Sequence, residues 1–552
     1  MNDVSQLSFL KKSKFNVKKA SLYEEAYKKI LDTDLFDKEF YLNTYYNVAK
    51  SGIDPLTHYL FYGGNEGKYP SLKFNGNKYL NAYPEIIDSG INPLVHYILK
   101  GQYEGKKTFP VNSLQLHEKI LKNNLLYLNN YVFEVEPLVS IIVLNRNGLR
   151  HLELLFKDFN VNTNYDNFEI IVVDNGSSDG SVEFLESLSN DLPIKIIKNS
   201  ENKSFSEANN QAVDVCNGDY VLLLNNDMEP TYGWLNEMMG AMIYNDNVGA
   251  VGAKLIYPYY YDEKNNYKSF LIQHVGDIFD ERIKPCCAYA YNKNKFEQPY
   301  ESKVNKSNQV AAVTAAAILI KKSIYKDLNG LNEEYFYGFE DVDFSLNLNK
   351  AGYEILYCSA ALLFHHESST RINDKKEYLK NNELNTRTLW EKQGSYITQK
   401  IFLDKIHNIK FFTEKPLKFT FLIEEFNINL KNYDLVSNLA KNLNKKDFNV
   451  DLLTSSDKQD AGDDTDVLIS FSKEYDIKRV NCRKNSVKIL YLDEDFDFNN
   501  DFDFYDIILT EKNKVYNELK KSFSQSSFLV NLNSNFCEEM MNIIEECILN
   551  KY

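Results

Sequence analysis

From Val139 onward the chain alternates short apolar runs with amphipathic stretches, and this alternation restricts the fold more than any other feature. Val139-Ser140-Ile141-Ile142-Val143-Leu144 is a continuous apolar run, Leu149 to Phe159 has helical spacing, and Glu169-Ile170-Ile171-Val172-Val173 is apolar again. A further helix is expected around Ser181 to Leu188, then strands at Ile194 to Ile197 and Tyr220 to Leu224. Strand and helix in turn predict a parallel α/β sheet. Polar clusters end the strands: Asn145-Arg146-Asn147-Gly148, Asp174-Asn175-Gly176-Ser177 and Asn225-Asn226-Asp227. Ligands of open α/β sheets bind beyond the carboxyl ends of the strands, so these clusters are expected to converge on one crevice.

The chain is too long for a single core. Its 552 residues exceed the ~250–300 at which one core stops growing, so three or more folded units are expected. A net charge of −15 argues against partners held by phosphate-backbone electrostatics, nucleic acid first among them. The longest apolar stretch, Val310 to Ile320, is about half of what a spanning helix needs, and the first residues lack a signal-peptide pattern. The expected location is therefore cytoplasmic, with any attachment at the inner face of the membrane made through partners. Seven cysteines without a CxxC pair support neither a disulfide framework nor a zinc cluster.

An internal repeat precedes the alternating region. Gly52-Ile53-Asp54-Pro55-Leu56-Thr57-His58-Tyr59 returns as Gly90-Ile91-Asn92-Pro93-Leu94-Val95-His96-Tyr97, an offset of 90 − 52 = 38, and Tyr41 and Gly63 return as Tyr79 and Gly101. Each copy reads as a pair of short helices, with Asx-Pro as a helix start. His58 and His96 precede a Tyr on an apolar face, which favours packed or hydrogen-bonded core histidines over metal ligands. The expected organisation is an N-terminal extension at 1–30, two helical repeats at 31–110, a helical linker at 111–136, an α/β domain at 137–400 and a Rossmann-like α/β domain at 415–552. In the last unit Glu424-Glu425-Phe426 follows the first strand where a phosphate-binding loop would need glycines, so no dinucleotide site is expected there.

Four clusters carry possible chemistry. Asp174 at a strand end suits a nucleobase or ribose, although Asp-Asn-Gly is also an ordinary turn. Asp227 offers an oxygen ligand for a hard divalent ion, or a strand cap. Glu340-Asp341-Val342-Asp343 places three carboxylates at a helix start, where they favour the helix dipole or supply a general base. His365-His366 follows the apolar Ala360 to Leu363.

In order and spacing these clusters, with Gln273-His274-Val275-Gly276 and Gly249 to Lys254, resemble glycosyltransferase family 2 enzymes of the GT-A fold, of the bacterial surface polysaccharide or glycoprotein type. The resemblance covers Pro137 to about Gly394. The repeats are similar to an accessory module beside such domains, and the C-terminal unit is similar to half of a GT-B transferase. The resemblance implies an inverting transfer of a hexosyl or N-acetylhexosaminyl group from a nucleotide-sugar, a UDP-sugar foremost, to a glycan, lipid-linked or glycoprotein acceptor. It implies a divalent metal, Mn or Mg, held by Asp227 and His365, with Asp341 as base. Asn145, Arg146, Asp174, Asn209 and Asn226 would bind the nucleotide, and Gln273, His274, Thr314 and Glu340 would lie near donor and acceptor. Asn225 stands for the first carboxylate of the usual Asp-x-Asp motif, and Ser204 stands where a Gly is common. The alternative expectation is an inactive nucleotide-sugar-binding or scaffold component, and other glycosyltransferases are expected partners of the terminal units.

Overall fold

A computed structural model describes residues 17–551 except 45–47, 49–52, 65, 67, 72, 109–112, 259–267, 283–286, 336–337, 367–374, 424–432, 455–459, 463, 472–479, 483–484, 493–503, 511, 523–526 and 530–535. At its centre β1 (Val139–Asn145), β2 (Phe168–Asp174), β3 (Ile194–Lys198) and β4 (Tyr220–Asn225) run parallel in the order β3-β2-β1-β4. Beyond them come β5 (Met228–Pro230), β6 (Val248–Ile256), β7 (Ile272–His274), a hairpin of β8 (Asp277–Arg282) and β9 (Cys287–Asn292), β10 (Asn308–Gln309), β11 (Ala317–Lys321) and β12 (Glu354–His365). The main sheet continues from β4 through β11, β6 and β12 to β10.

The four strands read from the alternation are parallel as expected, whereas the sheet they belong to is mixed. β11 runs antiparallel to both β4 and β6, whereas β6 and β12 are parallel to each other. The cause lies in the apolar stretch from Val310. It does not form one element: it turns through Thr314 at the crevice and enters the sheet at the carboxyl end of β4, where Ala317 pairs with Leu224. A strand entering from that end can only run the opposite way.

Period-two alternation builds a core on each face of the sheet. Ile141, Val143, Ile170 and Val172 face one apolar cluster with Trp234 and Met238, and Ile142, Ile171 and Val173 face the other with Ala208 and Phe344. All nine residues of β6 are buried, as expected for a central strand covered on both sides. The helix Ser113–Leu125, read from sequence as a linker, inserts Ile120 into the second of these cores. Its His117 ring packs against Phe270 and Phe364, and Asn124 donates to the Ala360 carbonyl at 2.9 Å.

The repeats form helix pairs with one internal logic. The Tyr41 hydroxyl meets His58 Nδ1 at 3.0 Å, and Tyr79 meets His96 Nδ1 at 2.9 Å. A Cβ on Gly63 or Gly101 would lie 1.9 or 2.1 Å from the same hydroxyls, so the repeated glycines make room for the repeated Tyr-His bonds. These histidines are half-buried hydrogen-bonding groups. Gly52 lies outside the described residues.

The C-terminal unit is a parallel sheet of β13 (Lys418–Ile423), β14 (Asn449–Thr454), β16 (Val467–Ser470), β18 (Val487–Leu492), β19 (Ile507–Thr510) and β20 (Ser527–Leu529), with a separate pair β15 (Asp460–Gly462) and β17 (Asn481–Cys482). Its order β14-β13-β16-β18-β19-β20 is a doubly wound arrangement with the first strand inside the second. Glu424-Glu425-Phe426 lie outside the described residues. The 33-residue helix Lys375–His407 joins this unit to the main sheet: Leu389, Ile397 and Ile401 pack with Phe279 and Leu346, and Phe402 enters the C-terminal core. Lys405 then makes a buried ion pair with Asp466 at 2.6 Å. Among the described residues no helix is long and apolar enough to cross a membrane.

Candidate active site

Parallel register sets the first corner of the site, because β1 and β2 end level and place Asn145 opposite Asp174. Asn145 Nδ2 donates to Asp174 Oδ1 at 3.0 Å, and the other Asp174 oxygen accepts the Ser177 N–H at 2.9 Å. Asn226 Nδ2 donates to Asn145 Oδ1 at 2.9 Å, tying β4 to β1. Gly148 permits this, since a Cβ there would lie 2.5 Å from both bonded amide atoms. A carboxylate has about four acceptor positions, so Asp174 can still take donors from a ligand. Arg146 is exposed beside this corner. Asn209 is not brought into it: buried on the helix Phe205–Val215, its amide donates to the Phe205 carbonyl at 2.9 Å. Ser204 is the N-cap of that helix, bonded reciprocally with Glu207.

The second corner forms where β5 pairs antiparallel with the end of β12, His365 opposite Met228. This pairing carries His365 Nε2 to 3.1 Å from Asp227 Oδ1. Both residues are buried, and Asp227 Oδ1 has no aligned hydrogen-bond donor. Burial raises the Asp227 carboxyl, but the neighbouring His365 and His151 outweigh it and hold the group below the usual carboxylate range. Gln273 on β7 accepts from His365 Nδ1 at 2.8 Å, which fixes the ring and leaves Nε2 facing the carboxylate. His366 contacts Glu229.

These two residues fit a divalent ion. A carboxylate oxygen without an aligned donor and an imidazole nitrogen face one another at 3.1 Å, close to the ~3 Å between adjacent ligands of an octahedral ion bound at about 2.1 Å. Among the described residues no group of three or more His, Cys, Asp or Glu converges on a metal position. Two protein ligands leave coordination positions for phosphate oxygens and water, the usual state of a magnesium-type site.

The third corner opens the helix Glu340–Lys350. Gly338 and Phe339 both have left-handed backbone, with φ of 97° and 73°, and the strained Phe339 turns the chain sharply into the helix. Asp341 accepts the Ala315 N–H at 3.0 Å and the Val342 N–H at 2.9 Å, and the Thr314 hydroxyl bonds to it as well. Burial outweighs these donors and pushes the Asp341 carboxyl up. The other two acids differ from it in surroundings. Asp343 is buried and accepts from Gln393 at 2.6 Å, and Glu340 is buried at the helix start. His274 is fully enclosed: its Nδ1 bonds Asn292 Oδ1 at 2.6 Å, its Nε2 accepts the Thr314 N–H at 3.2 Å, and burial pushes it down to about 4. It braces the Thr314 turn as a neutral ring.

Residues 140–326 match the glycosyl transferase family 2 model, a stretch that holds Asn145, Asp174 and Asp227 and ends before Asp341 and His365. An uncharacterized protein y4gI of Sinorhizobium fredii is 34% identical over 43% of this chain and 25% of its own length. The O-antigen biosynthesis protein RfbC of Myxococcus xanthus is 27% identical over 45% of this chain and 19% of its own length. The chain thus spans a quarter or less of these curated relatives. Among solved structures, the mannosyltransferase PcManGT from Pyrobaculum calidifontis, in complex with GDP-Man and Mn2+, aligns with a TM-score of 0.31 at 15% identity over 54% of this chain and 75% of that one. On the family match and these relatives, the part of the mixed α/β sheet between residues 140 and 326 is similar to glycosyl transferase family 2.

Proposed function

We propose that the chain is an inverting, metal-dependent glycosyltransferase that moves a sugar from a nucleoside-diphosphate donor to a hydroxyl of a bacterial glycan, lipid-linked or glycoprotein acceptor. The observation that carries this reading is the approach of Asp227 and His365, far apart in the chain, where Asn226 is bonded to the Asn145–Asp174 pair and Asn225 to the Ala316 carbonyl next to the Ala315 that Asp341 holds. Asp174 and Asn145 receive the nucleoside, with Arg146 and Asn226 around it, while Asn209, bonded within its own helix, takes no part. Asp227 and His365 would hold Mn or Mg, which when bound neutralises the leaving diphosphate. Gln273 keeps the His365 ring turned toward that position. Asp341 accepts the proton of the acceptor hydroxyl as its oxygen bonds to the anomeric carbon and the bond to the diphosphate breaks, which inverts the configuration. Its raised carboxyl suits a base working near neutral pH. Thr314 orients Asp341, and Glu340 borders the same wall.

A UDP-sugar is the first donor to try. The Myxococcus relative, an O-antigen biosynthesis protein, supports a cell-surface polysaccharide as acceptor class, assembled on the cytoplasmic side. The repeats and the C-terminal unit serve as docking modules for other transferases. A screen of nucleotide sugars for hydrolysis and transfer with Mn²⁺ or Mg²⁺ tests the proposal. Failure of every donor in the presence of metal, with nucleotide still bound, would leave the inactive scaffold as the function.

A further inference from the structure

Asp277 opens β8 beside the Thr314 turn. Its backbone N–H donates to the Ala312 carbonyl at 2.8 Å, so it stands at one end of the stretch from Ala312 to Ala315 while Asp341, bonded to the Ala315 N–H, stands at the other. The residue is 7% exposed.

Hydrogen-bond donors are divided unequally between these carboxyls. Asp341 receives two backbone N–H groups and the Thr314 hydroxyl. Among the described residues no donor is bonded to the Asp277 carboxyl. Among the described residues the basic nitrogen within ion-pair distance is His274 Nδ1, 3.7 Å from Oδ1, and that nitrogen is committed to Asn292. With Nε2 occupied by the Thr314 N–H, the His274 ring is neutral and brings no charge to Asp277. Lys295 is the remaining charged neighbour, and its effect is smaller than those of burial and of Asp341.

We propose that Asp277 is the neutral member of a carboxyl pair, a positioning residue that keeps its proton in the working protein and leaves Asp341 the anion of that pair. Environments that separate two nearby carboxyls in this way assign one as acid and the other as base. Burial and the Asp341 charge both push the Asp277 carboxyl well above the ordinary range. For Asp341 the inference rests on the proposed function; for the proton on Asp277 it does not.

The test is thermal melting of the full chain and of Asp277→Asn from about pH 4 to pH 7. An acid that stays protonated when folded but ionises near pH 3.9 when unfolded loses stability as pH rises, and Asn has no such proton. The melting temperature of Asp277→Asn minus that of the wild type is therefore expected to rise with pH. A difference that falls with pH or stays constant would overturn the proposal. Infrared spectra of the two proteins at neutral pH give a second readout: the wild type is expected to show one protonated-carboxyl band that the variant lacks, and equal bands would contradict it. Once a donor is known, the alkaline limb of the transfer profile, scaled to each protein's own maximum, is expected in the wild type and absent in Asp277→Asn. The melting and infrared results decide the state of Asp277 even if no donor is found.

Discussion

His365 Nδ1 is bonded to Gln273 Oε1 at 2.8 Å, and this contact decides what the opposite ring nitrogen can do. With Nδ1 as donor to Gln273, Nε2 is the ring nitrogen that faces Asp227, where a metal ion would take the place of a proton. Gln273 would therefore act through His365 on a metal held there. Gln273→Ala is expected to weaken Mn²⁺ binding by about 10–100-fold, the usual loss when such a supporting partner is removed. Gln273→Glu, which retains the acceptor, should recover most of it. Metal titration by calorimetry checks both.

Asp341→Asn should spare donor binding while transfer falls by about 10²–10⁴-fold, the usual contribution of a general base. Because the carboxyl is raised, transfer in the wild type should decline as pH falls through a value above the ~3.9 of a free Asp. Glu340→Gln and Asp343→Asn are controls. If the three acids served only the helix dipole, each substitution would cost a similar ~0.3–1 kcal/mol and none would affect transfer selectively. Rates, nucleotide affinity and melting temperatures of the three variants separate these outcomes.

Repeat packing is predicted to be sensitive to acid. Burial lowers both His58 and His96, so the unfolded chain takes up protons first as pH drops below about 6.5. Stability is full above that value and is lost as pH falls toward the lower folded values. Melting followed between pH 7 and pH 5 should show the loss, flattened when both histidines are replaced by Gln. Gly63→Ala and Gly101→Ala should each destabilise the unit by about 1–3 kcal/mol, because the added methyl displaces a bonded Tyr hydroxyl.

A fragment cut from Pro137 to Lys400 is expected to be less stable than one from Ser113 to Lys415. The shorter piece lacks Ile120 from a sheet core, as well as Ile401 and Phe412, which pack with Phe279. Limited proteolysis and calorimetry of the two fragments check this. Equal stability would show that the flanking helices add nothing to the catalytic unit.

What the sequence made legible follows local rules. The apolar runs at Val139, Glu169 and Tyr220 are strands within a residue or two of their expected bounds, because buried central strands need no partner to be recognised. The polar clusters meet as expected because parallel register levels the strand ends. Pairings that depend on distant chain were not legible. Nothing local to Ala317 says that its strand enters antiparallel, nothing near His365 names Gln273 as its partner, and the helix from Lys375 hides its role because successive stretches face different cores. Asn209 and His274 had the right residue types, but their polar atoms are bonded within the protein.

The central claim is that Asp227 and His365 bind the donor's diphosphate through a shared divalent ion. It is tested most directly by calorimetric titration of UDP into the full chain with Mn²⁺ and again in excess EDTA, beside Asp227→Ala. Tight binding with Mn²⁺, weakened by at least about 10-fold both by the chelator and by the substitution, is the predicted result. UDP bound equally well in EDTA and by Asp227→Ala would contradict it.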